Sequence, residues 1–153
     1  MRYTPAQVRD LVVISEETLR HWRKVLPPIK DKRGYAPCFT YGEVLALKII
    51  KLLVSEFGMG VRTFSKSADK FFDSVTNAAR FPEQVEYLIF EPESDSIRIT
   101  RKGELEYHLQ TIGLVVPIEP IIFELRQKLL TGSDHDLQSE LKLTPGLVAS
   151  KSS

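Results

Sequence analysis

Apolar residues recur along the chain with two different periods, and the places where the period changes divide it into elements. Val8, Leu11 and Val12 have helical spacing and follow Thr4-Pro5-Ala6-Gln7, in which threonine can cap, proline suits the first helical position and Gln7 completes a capping box. Val13-Ile14 interrupts that pattern, and Ser15 opens a second helix with Glu16 and Glu17 in its first turn, where acids favour the helix dipole. Within it Leu19, Trp22 and Leu26 fall on one face, while Thr18, Arg20, His21, Arg23 and Lys24 occupy the rest. Pro27-Pro28 stops this basic amphipathic helix. Residues 29–35 place a charged, glycine-containing tip between apolar flanks and predict a small β-hairpin. Thr40-Tyr41-Gly42-Glu43 is a second capping box, heading an almost continuously apolar helix over 44–57 that Gly58-Met59-Gly60 ends. Val61-Arg62-Thr63-Phe64 starts a fourth helix running towards Phe71, Phe72 and Val75.

The pattern shifts at Arg80-Phe81-Pro82. Beyond it, residues 85–90 and 97–100 read as strands flanking the turn-rich stretch 91–96, a second hairpin. Residues 105–109 read as a short helix or another strand, 114–116 as extended chain, and 120–130 as a helix ended by Gly132. From Ser133 the chain combines Ser, Lys, Asp and Pro with scattered leucines, which predicts a flexible tail over 133–153. The fold class is α+β, mainly helical, with one module over 3–79 and a small α+β module over 83–131.

A chain of 153 residues, 42% hydrophobic and 9% aromatic, is long and apolar enough to build a core. No apolar stretch is long and charge-free enough to cross a bilayer, so no membrane partner and a cytoplasmic location are expected. The net charge of +1 hides a division: residues 1–66 carry 12 Lys and Arg against 6 Asp and Glu, and residues 67–153 carry 9 against 14. A net +6 on the first part suits an anionic polymer. The single cysteine, Cys38, excludes an internal disulfide and any multi-thiolate zinc cluster. His21, His108 and His135 lack paired metal-ligand spacing, so neither a metal nor a cofactor is expected. Gly58-Met59-Gly60 lacks the ending of a phosphate loop, and no Ser, His and Asp set has a recognisable context; an enzyme is not expected.

The order of helix, turn, Ser15-Glu16-Glu17-Thr18-Leu19-Arg20-His21-Trp22, charged segment with Gly34-Tyr35, and long apolar helix closed by Phe57-Gly58 resembles the mercury-resistance-regulator (MerR) type of winged helix-turn-helix. The resemblance covers less than half the chain, and Thr18-Leu19-Arg20 followed by two ring-bearing residues is its most specific part. It implies a winged helix-turn-helix that binds double-stranded DNA. Arg20 would contact the DNA backbone and the helix start around Thr18 would approach bases, with Glu16 and Glu17 either reading cytosine or capping the helix. His21 stands where the family has a phosphate-contacting tyrosine, and Arg23 and Lys24, one turn on, can reach phosphates or base edges. In the wing, Lys30, Lys32, Arg33 and Tyr35 would touch phosphate or sugar. Ala36 departs from the family's arginine, and Pro37-Cys38 adds a residue. The region after Phe81 departs from the long antiparallel helix that joins family dimers. The resemblance implies a sequence-specific transcriptional regulator, acting as a homodimer. Residues 118–130, with Ile121, Ile122, Leu125, Leu129 and Leu130, serve either as core on the second hairpin or as a partner surface. Two other readings stay open: an architectural, excisionase-like DNA-binding factor, and an antitoxin-like adaptor holding a protein partner through the C-terminal module.

Overall fold

Local capping chemistry fixes where the N-terminal helices begin. In the computed structural model, which describes residues 1–91, 94, 96–104 and 112–132 with their side chains and the backbone of 133–142, Thr4 accepts a hydrogen bond from the Gln7 amide. The Gln7 side chain accepts one from the Thr4 amide, closing a capping box at the head of α1 (Pro5–Val12). Helix α2 (Glu16–Val25) follows, and Val13, which separates the two, has φ 63°. That left-handed conformation is rare for a β-branched residue. A 3-10 turn, Pro27–Ile29, ends this region. Helix α3 (Tyr41–Phe57) starts at the capping box of Thr40 and Glu43 and stops at Gly58, whose φ of 65° suits glycine. A second 3-10 turn, Val61–Phe64, leads to α4 (Ala68–Arg80), so the fourth helix begins later than the apolar pattern predicted.

Short strands tie these helices. Strand β1 (Arg2–Tyr3) pairs antiparallel with β2 (Phe39–Thr40), and the Cys38 amide donates to the Tyr3 carbonyl at 2.9 Å. The hairpin expected over 29–35 is not formed. The amides of Ile29, Lys30 and Lys32 donate to the carbonyls of Leu26, Pro27 and Ile29, which curls the chain after the two prolines and uses donors that a ladder would need. Ile29 is fully buried, and residues 30–38 form an irregular loop.

The second hairpin is present. Strand β3 (Val85–Glu91) pairs with β4 (Ser96–Arg101) on one side and with β5 (Leu114–Pro117) on the other, all antiparallel, in the order β4-β3-β5. Leu88 opposes Ile99 on one neighbour and Val116 on the other. Residues 105–111 lie outside the described residues, and so does the element expected over 105–109. Helix α5 (Glu119–Lys142) does not stop at Gly132. An isolated glycine costs a helix only about 1 kcal/mol and ends it only where the backbone turns left-handed, which Gly132 does not do. The helical backbone thus continues into the stretch read as a tail; residues 143–153 lie outside the described ones.

One contiguous core joins the parts. Leu88, Phe90, Ile97 and Val116 of the sheet and Ile118, Ile121, Ile122 and Leu125 around α5 belong to the same buried cluster as Val8, Leu19, Trp22 and the inner residues of α3. The ring of Phe64 bridges the parts, 5.9 Å from Phe71 and 5.6 Å from Phe90. Helix α5 packs on α3 and α1 rather than only on the hairpin, while Phe123 and Leu130 remain exposed. The fold is α+β and mostly helical, and among the described residues no helix is long and apolar enough to cross a membrane.

Candidate nucleic-acid interface

Helix α2 is held from its inner face and left free on its outer one. Leu19 and Trp22 are buried, and Ser15 Oγ accepts from the Thr18 amide at 3.1 Å and lies 2.9 Å from the Thr18 hydroxyl. Thr18 is therefore tied back to the cap. On a 3.6-residue period Arg20, His21 and Lys24 share one face, and all three are exposed. Glu16 lies 3.8 Å from the Arg20 guanidinium and 3.6 Å from that of Arg9, so the acid is drawn into ion pairs on the α1 side.

Two cations that sequence reasoning did not single out complete this surface. The connector after α3 carries Arg62, Ser65 and Lys66 alongside His21 and Lys24, enclosing a cleft of about 380 Å³ that no acidic residue lines. Arg62 and Lys66 are both exposed. Their signal lay in the charge of residues 1–66, to which both contribute, but linear order gave no reason to bring them to α2.

The residues expected in a wing divide into two kinds. Lys30, Arg33 and Tyr35 are exposed, Tyr35 almost completely at 98%, next to Gly34 at φ 90°. Lys32 turns inward: its ammonium donates to the Cys38 carbonyl at 2.8 Å and pairs with Glu43 at 3.3 Å. Arg23 also works as a staple, its Nε donating to the Lys32 carbonyl at 2.8 Å. Burial lowers the Arg23 pKa, helped by the positive charges of Arg33, Arg20 and Arg9 and opposed by Cys38. Four guanidiniums thus converge where α1, α2 and the loop meet, beside a smaller cleft of about 300 Å³ that Arg9, Glu16, Arg23 and Tyr35 help to line.

The structure therefore brings His21 and Lys24 together with Arg62 and Lys66 around one cleft, leaves Arg20 exposed on the same helix beside Glu16, places Lys30, Arg33 and Tyr35 on the loop that follows, and commits Thr18, Arg23 and Lys32 to internal bonds. No group of three His, Cys, Asp or Glu side chains suited to a metal ion occurs among the described residues, and Cys38 is a free thiol. Comparison of the chain with family models, with curated proteins and with solved structures gives no match.

Proposed function

We propose that the chain binds double-stranded DNA, with α2 as the recognition helix of a modified winged helix-turn-helix, and acts as a sequence-specific transcriptional regulator. The observation that carries this reading is the single-sign cleft between α2 and the connector, with Lys24, Arg62 and Lys66 around a rigidly seated helix. An α-helix fits the major groove, and flanking cations can then meet the phosphates on its edges. The loop over 30–38, stapled by Arg23 and Lys32 rather than built as a hairpin, takes the place of a wing and presents Lys30, Arg33 and Tyr35. The resemblance of Thr18-Leu19-Arg20 and its surroundings to MerR-type regulators supports the same assignment, and a homodimer of such a module would read two half-sites.

The test is selection of bound sequences from a random duplex library near physiological salt, with the wild type beside Arg20→Ala. The reading expects enrichment of a motif with paired half-sites, lost in the variant. Salt-sensitive binding without any motif would favour an architectural role, and absence of binding would refute the assignment.

A further inference from the structure

The loop over 30–38 carries its charges at its base and none at its tip. Gly34, Tyr35, Ala36 and Pro37 are consecutive, uncharged and exposed, and Lys30, Asp31 and Arg33 stand exposed before them. Gly34 turns the chain at φ 90°, with no atom within 4 Å of where a side chain would start, so the glycine serves the turn and not packing. Tyr35 is 98% exposed, and among the described residues its side chain has neither a hydrogen bond nor a ring contact.

The loop is nonetheless held at both ends. The Lys32 ammonium reaches across to the Cys38 carbonyl at 2.8 Å, closing off residues 33–37, and Arg23 of α2 donates to the Lys32 carbonyl at 2.8 Å. Pro37 fixes one φ within the closed segment. A loop already ordered loses little freedom on binding, so contacts made at its tip are retained as affinity.

Cations at the base with an uncharged ring at the tip are what a minor-groove wedge requires. The cations answer phosphates at the groove edges, whereas a charged tip would have to shed its water to enter a stack of bases. An aromatic ring offers a flat face to a base and gains by leaving water. Gly34 and Tyr35 line one cleft with Arg9, Glu16 and Arg23, so the tip stands beside α2. With α2 in the major groove, a loop reaching past the flanking phosphates meets the adjacent minor groove, roughly 6 Å wide.

We infer that the tip of this loop enters the minor groove beside the α2 contact and that the Tyr35 ring wedges against a base step, kinking the duplex. The resemblance to MerR-type regulators places Tyr35 on phosphate or sugar; the wedge uses its ring on a base, and the hydroxyl is dispensable. The inference rests on the DNA reading above and adds a contact that selects deformable steps. Pyrimidine–purine steps such as TpA yield to a wedge, whereas runs of dA resist it.

The experiment compares two short duplexes of equal length, composition and charge, labelled at both ends. One alternates dT and dA; the other has dA on one strand and dT on its complement. Full-length wild type, Tyr35→Phe and Tyr35→Ala are titrated by anisotropy across a salt series, and end-to-end energy transfer reads the kink. Wild type should favour the alternating duplex about tenfold and shorten its end-to-end distance. Tyr35→Phe should match it within about twofold, because the ring is kept. Tyr35→Ala should lose both the preference and the shortening yet keep the salt slope, since no phosphate contact is removed. Equal loss in the Phe and Ala variants would put the hydroxyl on a phosphate and overturn the wedge. An Ala variant that matches wild type, or a wild type that binds without bending, would overturn it too. All three results leave the DNA reading standing, whereas failure of wild type to bind either duplex would overturn that reading and the wedge together.

Discussion

Lys24 and Lys32 have the same side chain and lie eight residues apart, yet the structure gives them opposite tasks. Lys24 is exposed on the cleft wall, whereas the Lys32 ammonium is 2.8 Å from the Cys38 carbonyl and 3.3 Å from Glu43. If Arg20, Lys24, Arg62 and Lys66 each neutralise one phosphate, counterion release gives log K a slope of about −3.6 against log salt, from about 0.9 per contact. Lys24→Ala should then reduce that slope by about 0.9 and weaken binding about eightfold at 0.1 M salt. Lys32→Ala should leave the slope unchanged. Its effect falls on stability, because the loop loses a staple that is largely out of water; the Glu43 carboxylate is not stranded, since it still accepts from the Thr40 amide at 2.9 Å. A loss of about 1–2 kcal/mol follows. Fluorescence anisotropy of a labelled duplex across a salt series, paired with urea melts, separates the two quantities. Equal loss of slope in both variants would mean that Lys32 swings out to phosphate, and the inward staple would be wrong. Unchanged slope in both would remove α2 from the DNA surface.

Three further outcomes test the fold that carries the site. Val13→Gly should raise stability by up to about 1 kcal/mol in a denaturant melt, because glycine relieves the left-handed strain while its unfolded-state entropy offsets part of the gain; a loss would show that the strain is not there. Gly42→Ala should cost about 1–3 kcal/mol despite alanine's better helix propensity, since its methyl would fall 2.9 Å from the Thr76 Cα of α4. A stabilised variant would contradict that close crossing. Tyr41 has a buried hydroxyl without a hydrogen bond of proper geometry, although Arg126 is near enough to favour its phenolate, and burial raises its pKa. The unfolded chain loses that proton first, so stability falls as pH rises above about 10. Tyr41→Phe should make the alkaline fall shallower at little cost at neutral pH. An unchanged pH profile would count against the shift.

The helix starts were legible because an N-cap is a local device: Thr4, Ser15 and Thr40 bond to amides three residues on, and the sequence contains both partners. The same held for the burial of Leu19 and Trp22 and for the β3–β4 hairpin, where period and turn chemistry agree. What escaped was non-local. Two-residue strands have no period, so nothing marked Arg2–Tyr3 as the partner of Phe39–Thr40, and residues 29–35 looked like the better hairpin. Residue type also misled at Lys32, whose charge suggested solvent when a carbonyl and Glu43 awaited it inside. At the candidate site, Arg20, His21 and Lys24 followed from helical geometry, whereas Arg62 and Lys66 reach α2 only through the packing of the α3–α4 connector.

The division into two modules drew a line that the packing does not respect, and Leu125 shows why. It is fully buried on α5, within the cluster that holds Val8 of α1 and Val44 to Ile50 of α3. Truncation to alanine at such a site costs about 2–5 kcal/mol, a large share of the about 5–15 kcal/mol available to a domain. Were the C-terminal segment an independent unit, Leu125→Ala would loosen α5 and the sheet alone. With a shared core, the loss must reach the helices that seat α2, because opening the site exposes Val8 and α3 to water as well. Hydrogen exchange should therefore show reduced protection in α1 and α3 together with α5, in a single unfolding transition. Reduced protection confined to residues 83–132 would restore the two-module picture.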